Sequence, residues 1–121
     1  MSKLVESVIL NTLKKVRDPE LGFNIVDAGM VRRINIDQDN RKIEIHWIPT
    51  SPFCPMVLAI SAVMLYVLRR ELNLEGWSIK ILLDESVITA EYWNPQLREE
   101  TLDRIISSLE ESGKIRFFIS E

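Results

Sequence analysis

Cysteine and histidine are scarce in this sequence: one of each occurs in 121 residues. A single cysteine cannot form a disulfide within the chain, and it cannot build a zinc site of the four-cysteine kind. With only four glycines, at positions 22, 29, 76 and 113, neither glycine-rich nucleotide-binding motif can be written. These scarcities exclude disulfide scaffolds, self-contained zinc domains and the common nucleotide-binding loops.

Long apolar runs and clustered basic residues are also missing. The longest apolar run, Met56–Leu68, spans 13 residues, which is short of the about 18 residues expected of a membrane span. The net charge is -3 without a basic cluster, so no nucleic-acid footprint is indicated. The amphipathic first residues do not have the pattern of a secretory signal. The sequence therefore predicts a cytoplasmic protein with neither a membrane nor a nucleic acid as partner.

The composition and the apolar periodicities predict one α+β domain over residues 1–121. Hydrophobic residues make up 46% and charged residues 27%, which suits a compact core. Apolar residues at helical spacing predict three helices, at Ser2–Arg17, Pro55–Leu72 and Asn94–Ser112. Alternating residues predict strands at Met30–Asp37, Lys42–Ile48, Trp77–Leu83 and Ile115–Ile119, and leave Val87–Trp93 open as strand or loop. This order indicates a two-layer domain with a mixed β-sheet.

The sole cysteine, Cys54, is predicted to stand at the start of the second helix. A helix N-terminus carries unpaired N–H groups and a partial positive charge, which favour thiolate over thiol. A thiolate is the form that a metal or a nucleophilic reaction requires. Thr50 and Ser51 are expected to line the same concavity. The alternative is that Cys54 is a small buried apolar residue.

Two acidic residues flank Pro19, in the sequence Asp18-Pro19-Glu20. In one interpretation they are exposed acids of a turn that ends the first helix. In the other, Asp18 or Glu20 faces Cys54 across the fold. A carboxylate beside a thiolate would give a mixed ligand set that suits iron.

Trp93 and the only histidine, His46, also have two interpretations each. Trp93 is either a packing residue at a helix entry or a wall over the Cys54 pocket. His46 is either a surface residue of a strand or the base of a thiol enzyme, which would need it within hydrogen-bond reach of Cys54. The surface position is the favoured prediction for His46.

Four segments carry a resemblance to a known family. They are VRDPELG at 16–22, NIVDAGMV at 24–31, TSPFCP at 50–55 and WNP at 93–95. In this order they resemble the SufT/PaaD-like family of small iron–sulfur cluster assembly domains, over nearly the whole chain. Phe53 stands where that family usually has a glycine before the cysteine.

The resemblance implies the fold of that assembly domain and a role in maturing iron–sulfur proteins. It implies that Asp18, Glu20, Thr50 and Cys54 match positions that the family treats as functional. Such proteins are adaptors or transient carriers rather than enzymes. The expected cargo is iron or an iron–sulfur cluster, and the expected partners are the assembly machinery and client apo-proteins.

Three hypotheses for the function follow. In the first, Cys54 binds iron or a cluster transiently. One thiolate cannot fill a cluster's usual four-cysteine complement, so further ligands are needed. A homodimer that brings two copies of Cys54 together is their simplest source. In the second, the protein is an interaction subunit, for example of an oxygenase-type complex as in the PaaD branch, and no metal is bound. The third, a thiol enzyme, is the least favoured because the sequence places no convincing base.

Overall fold

The computed structural model describes residues 4–50 and 56–119. Its helices and strands follow the chain in the order α1 (Glu6–Leu13), β1 (Val31–Asp37), β2 (Lys42–Trp47), α2 (Met56–Glu71), β3 (Ser78–Leu83), α3 (Ala90–Trp93) and α4 (Glu99–Ser112). Two 3-10 helices, Asn94–Gln96 and Lys114–Phe118, follow α3 and α4. The described residues thus form the predicted α+β domain, with three longer helices and the short α3.

The three strands form one mixed sheet in the order β1-β2-β3. β1 and β2 are antiparallel neighbours joined by a tight turn, as the alternation and the polar residues between them predict. β2 and β3 are parallel, so the chain must cross from one end of the sheet to the other between them. The helix α2 lies in that crossover.

The core forms between the inward face of this sheet and α2. In β2 the side chains of Ile43, Ile45 and Trp47 are at most 1% exposed. α2 is buried on almost every side, as expected of a helix that is apolar all round. The indole N–H of Trp47 donates to the hydroxyl of Ser61 at 3.1 Å, so that neither buried polar group lacks a partner.

The helix α4 packs against α2, buries Leu102 and Ile106, and is also joined to α2 by ion pairs at the surface. Arg69 at the end of α2 donates to Glu99 at 2.7 Å and to Asp103 at 2.5 Å. The other carboxylate oxygen of Glu99 accepts the backbone N–H of Ile79, at the start of β3. The predicted stop at Gly113 is confirmed: its φ of 74° is a left-handed conformation that glycine adopts without strain.

Three sequence predictions differ from the structure. The first helix ends at Leu13, because Val16 leaves it to pair with Ile119 in an isolated β-bridge. The predicted strand Ile115–Ile119 is wrong: Lys114–Phe118 turns as a 3-10 helix that buries Phe118 and leaves Phe117 half exposed, and Ile119 alone is extended, in that bridge. The open segment Val87–Trp93 is neither strand nor extended loop, since it ends in α3.

Among residues 4–50 and 56–119, no helix is both long enough and apolar enough to cross a membrane.

Candidate functional site

Three connecting segments meet at one end of the sheet. The last residues of the parallel strands β2 and β3, Trp47 and Leu83, pair with each other, and the first residue of β1, Val31, pairs with Trp47 from the other side. The segment that enters β1 and the segments that leave β2 and β3 therefore lie at the same end of the sheet. Carboxyl ends of parallel strands are a common place for binding sites, because loops from different parts of the chain converge there.

The segment that enters β1 begins with a turn built by Asp18. Its carboxylate oxygen Oδ1 accepts the backbone N–H of Glu20 at 2.9 Å, and its carbonyl accepts the N–H of Gly22 at 2.8 Å. Gly22 has a φ of 77°, which a residue with a Cβ rarely adopts. The sequence DPELG thus specifies this turn, as the turn interpretation predicts.

Asp18 also reaches the segment that leaves β2. The hydroxyl of Thr50 donates to the second carboxylate oxygen, Oδ2, at 3.2 Å. Asp18 is only 2% exposed, and a buried carboxylate is stable in a protein when such donors replace the water that it loses. One side chain therefore ties together two segments that are 32 residues apart in the sequence.

A small cavity lies beside this hydrogen bond. Its volume is about 10 Å³, room for about one water molecule. Residues from both segments and from the start of the described part of α2 line it: Asp18, Glu20, Pro49, Thr50, Met56, Val57 and Ile60. The cavity is where the described structure brings polar groups of the candidate site together with α2.

The structure therefore brings together three of the residues that the sequence singles out: Asp18, Glu20 and Thr50. Cys54 and Ser51, which complete the predicted site, lie outside the described residues. Within residues 4–50 and 56–119, no three histidines or acidic residues are grouped so as to hold a metal ion. A ligand role for Cys54 with Asp18 or Glu20 stays a prediction.

Trp93 and His46 are both buried. Trp93, at the end of α3, is 8% exposed and stands edge-on to Tyr92 with ring centroids 4.9 Å apart. The packing interpretation of Trp93 is thus confirmed, whereas its predicted place over the Cys54 thiol stays a prediction. His46 is 7% exposed, so its predicted surface position is wrong. Its Nε2 lies 2.6 Å from a carboxylate oxygen of Glu44, which stands two residues away on the same strand.

The sequence did not reveal how the segment that leaves β3 is fixed. The sequence places Asn94 at the start of the third predicted helix, but its amide oxygen accepts the N–H of Leu83 at 2.8 Å and its amide nitrogen donates to the carbonyl of Leu83 at 3.3 Å. α4 begins five residues later, at Glu99. An asparagine ten or so residues beyond a strand gives no local sign of such a contact, because the partner is a backbone group.

An acidic turn opens that same segment. The hydroxyl and the backbone N–H of Ser86 both donate to one carboxylate oxygen of Asp84. These hydrogen bonds hold the pKa of the Asp84 carboxyl below its ordinary value. Asp84 is therefore negatively charged at neutral pH.

Comparison with known proteins places the chain among iron–sulfur cluster assembly proteins. The family model described as iron–sulfur cluster assembly protein matches residues 6–74, more than half of the chain and all of the segments that form the cavity. An uncharacterised protein of Methanocaldococcus jannaschii is 42% identical over 53 residues, which are 44% of this chain and 55% of that protein. The chain thus matches about half the length of this curated relative.

Two solved structures have the same fold. A crystal structure of a domain of unknown function, DUF59, from Bacillus anthracis is 26% identical, with a TM-score of 0.58 over 84% of this chain and 91% of that one. A conserved hypothetical protein from Thermotoga maritima is 31% identical, with a TM-score of 0.57 over 83% of this chain and 97% of that one. Sequence and fold agree, and this chain belongs to the iron–sulfur cluster assembly protein family.

Proposed function

We propose that this protein is an accessory factor of iron–sulfur cluster assembly, which carries iron or a cluster transiently to client apo-proteins and has no catalytic turnover of its own. Cys54 is the proposed thiolate that contacts this cargo. Besides the family membership, the observation that supports the proposal is the cavity that Asp18, Glu20 and Thr50 line together with Met56, which stands two residues after Cys54. The hydrogen bond from Thr50 to Asp18 fastens the chain beside this cavity, four residues before Cys54.

Sequence distance supports a thiol close to the carboxylates. Cys54 stands two residues before Met56, which lines the cavity together with Asp18 and Glu20. Two residues of chain span at most about 7 Å. We therefore expect the thiol within reach of the carboxylate of Glu20, which is exposed and available to a metal ion.

A site with one thiolate suits a carrier better than a permanent holder. A cluster takes four cysteine ligands as a rule, and this chain offers one. The other ligands would come from a carboxylate, from a second copy of the chain or from the client itself. Because a client with its own cysteines can replace such weak ligands one at a time, the cargo can leave. The SufT/PaaD-like subtype and a cytoplasmic location belong to this proposal as well.

A second candidate is an interaction subunit of an oxygenase-type complex without a bound metal. It is favoured by the hydrogen bonds of Asp18, because both carboxylate oxygens accept donors from the protein and hold a turn in place. In that case Cys54 would serve packing alone.

Anaerobic reconstitution distinguishes the two candidates. The full chain is incubated with ferrous iron and sulfide and desalted, and the iron and sulfide retained per chain are measured. The variants are Cys54→Ser and, as a matched control, Cys54→Ser with Ser108→Cys, which moves the thiol to an exposed position of α4. We expect the wild type to retain less than one iron per chain, Cys54→Ser to retain none, and the relocated thiol not to restore binding. Unchanged iron content in Cys54→Ser would exclude the carrier function.

A further inference from the structure

The segment of residues 84–95, which leaves β3, is held rigidly and yet presents apolar side chains to solvent. Both ends are fixed: Asn94 binds the backbone of Leu83 with two hydrogen bonds, and Val87 donates its N–H to the carbonyl of Asp84 at 2.9 Å. Between them α3 adds a turn of helix. A segment with these contacts keeps one shape, so its outer side chains form a defined surface.

The side chains of this segment separate into an inner and an outer set. Val87, Ala90 and Trp93 are 9%, 6% and 8% exposed, respectively, and anchor the segment on the core. Ile88 and Tyr92, four residues apart, point outward and are 82% and 65% exposed. Ile88 is the most exposed of the large hydrophobic residues in the described part of the chain, and it borders an open hollow of about 540 Å³.

The rim of this hollow carries charge of one sign. Glu85 and Glu91 line it and both are exposed. No lysine or arginine is among the residues that line it, and none occurs between Lys80 and Arg98 in the sequence. Asp84, at the start of the segment, lies outside this lining and near Arg32 and His46. An apolar centre with an acidic rim is complementary to a segment that is apolar on one side and basic around it.

We propose that residues 84–95 form a docking surface for a basic, amphipathic segment of a partner protein. A second copy of this chain in a two-fold contact would set the acidic rim against itself, which like-charge repulsion opposes. Nucleic acids and anionic membranes are repelled for the same reason. The inference goes beyond the proposed carrier function and does not depend on iron binding by Cys54.

Photo-crosslinking followed by a titration tests the proposal. The full chain with a photoreactive residue in place of Ile88 is made in cells that naturally contain the protein, and a second version carries it in place of the exposed Ser108 of α4 as a control. We expect position 88, and not position 108, to crosslink to a protein through a segment with a net positive charge. A synthetic peptide of that segment then serves as the probe for affinity measurements.

The titration compares matched variants of the full chain. We expect Ile88→Ser to weaken peptide binding about tenfold, as is typical of an exposed apolar anchor. We expect Glu85→Lys with Glu91→Lys to weaken binding at least as much, and to weaken its dependence on salt. Glu110→Lys with Glu111→Lys on α4 makes the same change in net charge away from the surface, and should change the affinity less than about twofold.

Several outcomes would overturn the proposal. They are no crosslink at position 88, a crosslink only to a second copy of the chain, a crosslinked segment that is acidic or uncharged, or equal affinities of all variants. Ile88 is too exposed for Ile88→Ser to unfold the protein, and circular dichroism checks this. Iron loading of Ile88→Ser should equal that of the wild type, so a failure of the docking surface and a failure of the carrier function are distinguishable.

Discussion

Two segments leave the parallel strands β2 and β3 at the same end of the sheet. One of them helps to bury a charged side chain, and the other exposes an apolar side chain. The segment after β2 helps to hide a carboxylate, because Thr50 donates to Asp18, which is 2% exposed. The segment after β3 exposes an isoleucine, Ile88, at 82%. Each is fixed by the hydrogen bonds of one polar side chain: Asp18, 32 residues before Thr50, for the first, and Asn94, 11 residues after Leu83, for the second.

This difference predicts that the first segment affects the stability of the protein and that the second affects its binding to a partner. A buried carboxylate is stable only while its hydrogen-bond donors remain, so changes around Asp18 should lower the free energy of unfolding. An exposed isoleucine contributes little to stability, so changes at Ile88 should alter binding and not folding. The three predictions below test this contrast, beginning with the largest expected effect.

Asp18→Ala should have the largest effect on stability. It removes the acceptor of the Glu20 N–H and of the Thr50 hydroxyl, and each lost hydrogen bond to a carboxylate costs about 1.5–3 kcal/mol. We expect the free energy of unfolding in urea to fall by about 3 kcal/mol. Asp39→Ala, at an exposed turn position, is the matched control and should stay within about 0.5 kcal/mol. Equal effects of the two substitutions would show that Asp18 does not join the segments.

Asn94→Ala should have an intermediate effect. It leaves the N–H and the carbonyl of Leu83 without their side-chain partner, so the segment of residues 84–95 is held less firmly to the end of β3. We expect a loss of about 1–2 kcal/mol in the same urea measurement. Asn73→Ala, at an exposed asparagine, is the control and should have almost no effect. If Asn94→Ala changes the free energy of unfolding as little as Asn73→Ala does, Asn94 does not fix the segment that carries Ile88.

Ser86→Ala should have the smallest effect, and this effect should be present near neutral pH and vanish in acid. Its hydroxyl, followed by its backbone N–H, lowers the pKa of Asp84 in the folded state. A lowered pKa gives stability that is fully present above the unfolded-state pKa, about 3.9, and is lost as the pH falls through the folded-state pKa.

Without the hydroxyl, the pKa of Asp84 moves back toward its ordinary value. Ser86→Ala should therefore lose less stability than the wild type when the pH is lowered from about 5 to about 2, as urea unfolding at both values would measure. Ser108→Ala, at an exposed serine of α4, should lose as much as the wild type. A loss in Ser86→Ala equal to that of the wild type would contradict this role of Ser86.

Much of the fold could be predicted from the sequence because its signals are local. The alternation in β2 and β3 and the apolar run of α2 each report a buried face directly. The predictions failed where a distant contact decides the outcome. The pairing of Val16 with Ile119 shortens α1, and Phe118 rather than its neighbour Phe117 enters the core.

The candidate site could be predicted only in part, for the same reason. The turn at Asp18 follows from the sequence DPELG, and the family resemblance groups it with Thr50. The bond of Asn94 to Leu83 and the burial of His46 depend on the packing of neighbouring segments. No pattern in the sequence marks Ile88, because its exposure is a property of the folded segment.

Cluster transfer tests the central claim most directly. Wild-type protein loaded with iron and sulfide is mixed with an apo-ferredoxin in the presence of excess iron chelator, and the circular dichroism of the ferredoxin cluster is followed. The carrier function predicts that the cluster appears despite the chelator, and that Cys54→Ser protein treated in the same way delivers none. Transfer that the chelator abolishes, as it does for free iron and sulfide, would contradict the account.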